Sequence, residues 1–227
     1  YGLTSYGEAP IDSSSNTAVH SSSPAPEIVV SSMHVIKSKT FWHLGIAFVF
    51  QFMAVSSITL HVMPYLSSVG IARSVSSFVG SALPLVGITG RLSSGWLVDK
   101  FSNQKIASMY LVMASLGLLC FALVPTIGAW LIVPFTLLFA ISTGGITVLR
   151  ASLTRHFFGR NRFGSIFGLM TGMTMIGSVI GPPLAGRVFD TWGSYEGMWF
   201  ALAVFVLISM ISLATTPPFS ALVQPDE

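Results

Sequence analysis

Arg91 stands inside an apolar run, eight residues ahead of the acid–base pair Asp99-Lys100. In a helix that spacing puts it about 12 Å deeper than the charged turn. A permanent charge at that depth is costly in hydrocarbon, so by default the position is a functional site. Snorkelling covers only part of the distance, and the remainder calls for a wet cavity. Gln51, Ser57, Thr147 and Thr174 are polar side chains in other apolar runs and are the candidates to line that cavity, together with Ser56, Thr59, Thr143 and Thr171. Each hydroxyl has a competing use, a bond to its own helix backbone. The chemistry open to such a set is reversible binding of a solute.

The elements that must hold these residues are membrane helices. The 227 residues are 52% hydrophobic and only 8% charged, against about 25% charged in soluble domains. Six apolar runs cover 42–63, 75–98, 106–124, 129–149, 163–188 and 197–214, each near the roughly 20 residues a span requires. Their short connections predict antiparallel sequence neighbours. Residues 1–36, rich in Ser, Pro and Ala, read as a disordered linker. The six-helix unit is expected at 37–215 and a polar tail at 216–227. The chain opens at Tyr1 with no signal-peptide pattern, which leads us to expect a piece or product missing its front half.

Charge sets the expected orientation. Lys37, Lys39, Lys100, Lys105, Arg155, Arg160 and Arg162 fall on one side, and Arg73 and Arg187 on the other. The positive-inside rule then places the linker and the C-terminus in the cytoplasm. The single cysteine, Cys120, lies within a span and allows no intrachain disulfide. No glycine-rich phosphate loop and no zinc-spaced His/Cys set occurs, so no cofactor or metal is expected.

The second and fifth runs end alike. Gly90-x4-Gly95-x3-Asp99-x-Phe101 recurs 91 residues later as Gly181-x4-Gly186-x3-Asp190-x-Trp192. Each copy is the second helix of a three-helix group, which reads as a 3+3 inverted repeat, all-α and membrane-embedded. Gly95, Gly181 and Gly186, with Gly168, Gly172 and Gly177, are expected to let neighbouring backbones approach. Pro182 and Pro183 remove backbone donors within the fifth span and predict a kink. Pro64, Pro84 and Pro134 carry the same expectation.

These residues resemble the C-terminal six-helix half of a major facilitator superfamily transporter. Gly95-x3-Asp99-Lys100-x-Ser102-Asn103-x-Lys105 matches the superfamily loop signature, with Ser102 in place of a glycine and Asn103 in place of a basic residue. The stretches HFFGRNRFGSIFG and GPPLAGRVFDTWGSY, and an arginine four residues before the motif glycine, are similar to the monocarboxylate-transporter-like branch. The resemblance covers residues 38–215 and implies a twelve-helix protein of which this chain is half. It implies that Arg91 binds a substrate carboxylate, for which a guanidinium is suited by its bidentate geometry and fixed charge. Gly87 stands where the branch often has an aspartate. The resemblance also implies that Asp99, Lys100 and Lys105 form a cytoplasmic gate, with Arg150 and Arg155 as partners for Asp99.

The leading function is a transporter of a small, monocarboxylate-like organic anion, secondary active or facilitative, in the plasma membrane. The alternative is a transporter of a neutral metabolite or vitamin with Arg91 structural. The expected partners are the substrate, the bilayer and the missing six-helix half. No carboxylate lies in the interior of a span, and His43 and His61 are read as structural. A rhomboid-type protease is excluded because the sole histidine after the first span, His156, is expected in a loop. An aquaporin is excluded because no Asn-Pro-Ala triplet occurs.

Overall fold

The computed structural model describes residues 32–159 and 163–216. A short helix, α1 (Ser32–Lys37), leads into α2 (Lys39–Ser68), and α3 (Arg73–Val98) and α4 (Asn103–Ala122) follow. A single turn, α5 (Val124–Ile127), and a 3-10 turn over Ala129–Leu131 introduce α6 (Ile132–Phe158). The last two helices are α7 (Phe163–Trp192) and α8 (Glu196–Ala214). Six of these helices are long and apolar enough to cross a membrane. The linker expected over 1–36 and the tail expected over 216–227 lie outside the described residues apart from residues 32–36, which are helical, and Thr216.

Local chemistry sets the helix ends. Ser38, in extended geometry, begins α2 by accepting from the Phe41 amide at 3.2 Å, an N-cap bond. Gly159 and Gly193 stop α6 and α7 with φ of 78° and 67°, the left-handed closure that glycine adopts without a Cβ penalty. Ser102, which replaces the signature glycine, has φ −66° and ψ 135°. That is ordinary extended backbone, so the serine introduces no strain. Pro64, Pro84, Pro182 and Pro183 lie within their helices. Pro134 instead occupies the first turn of α6, where no intrahelical donor is lost and no kink is required.

The runs read from hydropathy were too short. The fourth ends at Phe158 rather than 149, so Arg155 and His156 belong to the last helical turn rather than to a loop. The fifth extends to Trp192. A 30-residue helix such as α2 or α7 is about 45 Å long at 1.5 Å per residue, more than the roughly 30 Å hydrocarbon core. Its polar ends therefore continue into the headgroup layer.

Packing does not follow chain order. The dominant pairings are α2 with α7, α3 with α6, α4 with α6 and α4 with α8, followed by α2 with α8. The sequence neighbours α3/α4 and α7/α8 barely touch, which corrects the expectation that successive spans pack together. The pattern is symmetric. Exchanging α2, α3 and α4 for α6, α7 and α8 turns α2/α7 into α6/α3 and α4/α6 into α8/α2, and leaves α4/α8 unchanged. The two three-helix groups are interleaved copies.

The repeat glycines show the same exchange in atomic detail. A Cβ on Gly90 would strike the Ile141 carbonyl of α6, and one on Gly181 would lie 2.6 Å from the Met53 carbonyl of α2. Gly177 abuts the Val49 carbonyl in the same way. A Cβ on Gly95, Gly168 or Gly172 would meet nothing within 4 Å, and on Gly186 only the His61 ring at 3.8 Å. Among these glycines, the close crossings therefore belong to Gly90, Gly177 and Gly181.

Two ends of the bundle are tied differently. At one end an aromatic cluster joins α2, α4, α6 and α8. Phe121 stacks on Phe135 with centroids 4.0 Å apart, Trp199 is fully buried against Tyr65 and Phe121, and the Tyr65 hydroxyl donates to the Phe121 carbonyl at 2.7 Å. At the other end the ties are polar. Asn103 donates to Ser152 Oγ at 2.7 Å, and Gln104 Nε2 caps the end of α8 through the Leu213 and Ala214 carbonyls at 2.7 and 3.1 Å.

Candidate substrate cavity

A cavity of about 470 Å³ opens between α2, α3 and α6. Its α3 wall is a stripe of small and polar residues ending in a cation: Ser77, Gly80, Ser81, Pro84, Gly87 and Arg91. The intervals of three and four residues place this stripe on one helix face. Gln51, Phe52, Val55 and Thr59 come from α2, and Phe139, Thr143 and Thr147 from α6. The small residues open the space. Gly87 and Gly144 face each other so closely that a Cβ on Gly144 would lie 3.0 Å from the Gly87 Cα.

The cavity gathers three of the five residues expected to contact substrate, Arg91, Gln51 and Thr147. Arg91 is exposed there, and among the described residues no carboxylate pairs with it. Gln51 is 1% exposed, and neither its Oε1 nor its Nε2 has a hydrogen-bond partner among the described residues. Buried amides are almost always satisfied, which sets Gln51 apart from the other residues of the wall. Thr147 gives its proton to the Thr143 carbonyl at 2.8 Å. Its oxygen still accepts.

The other two residues lie elsewhere. Ser57 is buried, donates to the Met53 carbonyl at 2.8 Å and packs at the Gly181 crossing. Thr174 accepts from Arg150 Nη1 at 3.2 Å and donates to the Thr171 carbonyl. Arg150 is thus an interior residue, eight positions before the end of α6. Its guanidinium carbon lies 5.0 Å from both the Phe52 and Phe167 ring centroids, and its Nε is buried without a partner. It does not meet Asp99. The apolar run read from the sequence ends at 149, whereas the helix continues past Arg150 to Phe158.

Asp99, Lys100, Lys105 and Arg155 are all exposed, and no ion pair joins Asp99 to Arg150 or Arg155 among the described residues. The Lys100 ammonium sits over the Trp96 ring at 3.9 Å. His61 bridges helices: Nε2 lies 3.0 Å from the Pro182 carbonyl, and Nδ1 lies 3.2 Å from the Tyr195 hydroxyl. A carbonyl only accepts, so Nε2 carries the proton, and in the neutral ring Nδ1 accepts from Tyr195. Burial, with Asp190 nearby, pushes the Tyr195 phenol above its ordinary pKa, so it stays a donor at neutral pH. Sequence reading missed Ser77, Ser81, Gly87 and Gly144 as cavity residues. For the first three, the signal was present as a stripe of period 3.6 running back from Arg91.

The profile of the Major Facilitator Superfamily matches residues 8–148 and, in a second overlapping match, 44–226. The chain belongs to the major facilitator superfamily. Among curated relatives it is 28% identical over 177 residues to monocarboxylate transporter 12 of Xenopus laevis, covering 77% of this chain and 38% of that protein. It is 22% identical to the agnestins efflux protein AgnL12 of Paecilomyces divaricatus, covering 79% and 42%. Among solved structures, the E. coli fucose:proton symporter FucP superposes with a TM-score of 0.68 at 18% identity, covering 82% of this chain and 44% of that one. The chain therefore spans less than half the length of these proteins. It is an integral, multi-pass membrane protein of a transporter family, and it is not an enzyme.

Proposed function

We propose that the chain is the six-helix half of a twelve-helix transporter that carries a small, monocarboxylate-like organic anion by alternating access. The observation that carries this reading is Arg91, an unpaired guanidinium on the wall of a 470 Å³ cavity that also presents Gln51 and Thr147. The monocarboxylate transporters among its relatives support the substrate class. The interleaved, glycine-lubricated crossings of α2/α7 and α3/α6 are suited to rocking between two states. The exposed Asp99-Lys100 turn with Lys105 serves as the gate facing the second half, on the cytoplasmic side that the lysine and arginine distribution selects. The plasma membrane is the proposed location. No carboxylate faces Arg91 from these spans, so a coupling acid, where one operates, comes from the other half.

The test is uptake of labelled lactate and butyrate by cells making the complete protein, with Arg91→Gln at matched surface expression. Losing a bidentate, charge-assisted pair removes about 3 kcal/mol, or roughly 100-fold in kcat/KM. Unchanged uptake in the variant overturns the carboxylate-binding role of Arg91 and leaves it structural; absence of uptake by the parent protein overturns the anion reading and leaves a neutral metabolite as the cargo.

A further inference from the structure

We infer that His61 is a latch that makes the ends of α2 and α7 remote from Asp99 move as one body, so that bending within this half is concentrated at the Asp99 end of α3 and α6. The latch concerns how the helices move rather than what they carry, and of the proposed function it rests only on alternating access. Both latched helices are broken close to His61. Pro64 leaves the Leu60 carbonyl of α2 without its helical donor, and Pro182 and Pro183 do the same to the Ser178 and Val179 carbonyls of α7. Helices bend at such breaks. The backbones of α2 and α7 meet at Gly177 and Gly181 but have parted by Gly186, where a Cβ would meet only the His61 ring. His61 fills that gap and bonds across it, with Nε2 3.0 Å from the Pro182 carbonyl and Nδ1 3.2 Å from the Tyr195 hydroxyl. Tyr195 is a firm anchor, buried and stacked on Phe189 at 4.4 Å and on Trp199 at 5.7 Å between centroids.

The other copy of the repeat has the same crossing without the latch. On α3, Gly90 meets the Ile141 carbonyl of α6 as Gly181 meets that of Met53, and Gly95 corresponds to Gly186. A Cβ on Gly95 would meet nothing within 4 Å, so these backbones part as well. The interval that leads from Met53 to Ile141 leads from His61 to Leu149, a buried hydrocarbon side chain that can form no hydrogen bond. Among the described residues no hydrogen bond joins α3 directly to α6. The polar ties between them run through α4, from Ser93 to Tyr110 at 2.8 Å and from Asn103 to Ser152 at 2.7 Å. Two crossings with like backbones thus differ in one side chain that spans the gap. Bending goes to the crossing that lacks the direct bond.

The experiment measures distances between paired nitroxide labels by electron paramagnetic resonance, in the complete protein with its native cysteines, Cys120 included, replaced by serine. One pair, Ser67→Cys with Thr191→Cys, occupies exposed positions beyond the breaks of α2 and α7. The other, Gly95→Cys with His156→Cys, occupies exposed positions at the Asp99 end of α3 and α6. We expect a narrow distance distribution for the first pair and one at least twice as wide for the second. His61→Leu should at least double the width of the first and leave the second unchanged. His61→Gln, which keeps a donor and an acceptor on one side-chain head, should stay as narrow as histidine. Equal widths for the two pairs with His61 in place overturn the inference, and that arm needs no variant at position 61. A first pair that stays narrow in His61→Leu overturns it as well. So does a glutamine variant as broad as the leucine one, because the two bonds are then not what holds the ends. Broadening of both pairs by His61→Leu is general loosening and also overturns it. These distances need no cargo, so a parent protein that takes up no carboxylate removes the anion reading and leaves the latch to its own test.

Discussion

Gly90→Ala adds one methyl group where α3 crosses α6, and the structure says there is no room for it. The new Cβ would strike the Ile141 carbonyl oxygen, with the carbonyl carbon at 2.8 Å and the Gly145 amide nitrogen at 3.0 Å. Comfortable carbon contacts lie at about 3.5–4.0 Å, so the helices must separate by about 1 Å. The obstacle is backbone, which cannot rotate aside as a side chain can. The next contact along the crossing, between Gly87 and Gly144, is as tight, so the separation opens both. Overpacking of this kind costs about 1–3 kcal/mol, offset by the 0.5–1 kcal/mol or so that alanine gains over glycine in a helix. The net loss is about 1–2 kcal/mol, or roughly 3–6 °C in midpoint for a chain of this size. Gly95→Ala is the control. Nothing lies within 4 Å of its Cβ, so it collects the propensity gain alone and the midpoint rises slightly. The assay is thermal unfolding in detergent, followed by size-exclusion recovery of the wild type and both variants. Equal midpoints for the two variants would refute the close-crossing argument and with it the symmetric packing built on it.

Other outcomes follow from single contacts. Arg150→Lys keeps the charge but loses the planar group held between Phe52 and Phe167; two cation–π faces at about 0.5–1 kcal/mol each predict a fall of about 1–2 kcal/mol, and an unchanged midpoint would count against the clamp. Tyr65→Phe deletes the bond to the buried Phe121 carbonyl and is expected to cost about 1–3 kcal/mol, read by the same thermal assay; a silent substitution would show that water replaces the hydroxyl.

Much of this protein was legible in its residues because a bilayer leaves few choices. Backbone groups in hydrocarbon must be satisfied within their own segment, so six long apolar runs mean six helices. Arg91 announced itself because a charge in such a run is expensive wherever it points. The 91-residue repeat was visible because it involves glycine, aspartate and aromatic positions that hydropathy alone does not demand.

Tertiary structure alone decided which faces meet. Gly90 and Gly95 are five residues apart, about 140° around the helix, so one neighbour cannot touch both; only the crossing shows that it is Gly90 that α6 approaches. The surroundings of Arg150 were hidden for a related reason. Hydropathy falls at the first charge, but a helix does not end there, and the turns carrying Arg155 and His156 continue to Phe158, burying Arg150 among aromatic rings. The exchange that pairs α2 with α7 and α3 with α6 also lies beyond any linear pattern. Short loops bring sequence neighbours into reach, but close packing goes to helices whose small residues let backbones approach. Those surfaces belong to opposite halves of the repeat. Gln51 shows the limit most plainly: its type marked it as polar, but only the surrounding helices bury its amide and leave both of its hydrogen-bonding atoms unmet on a cavity wall.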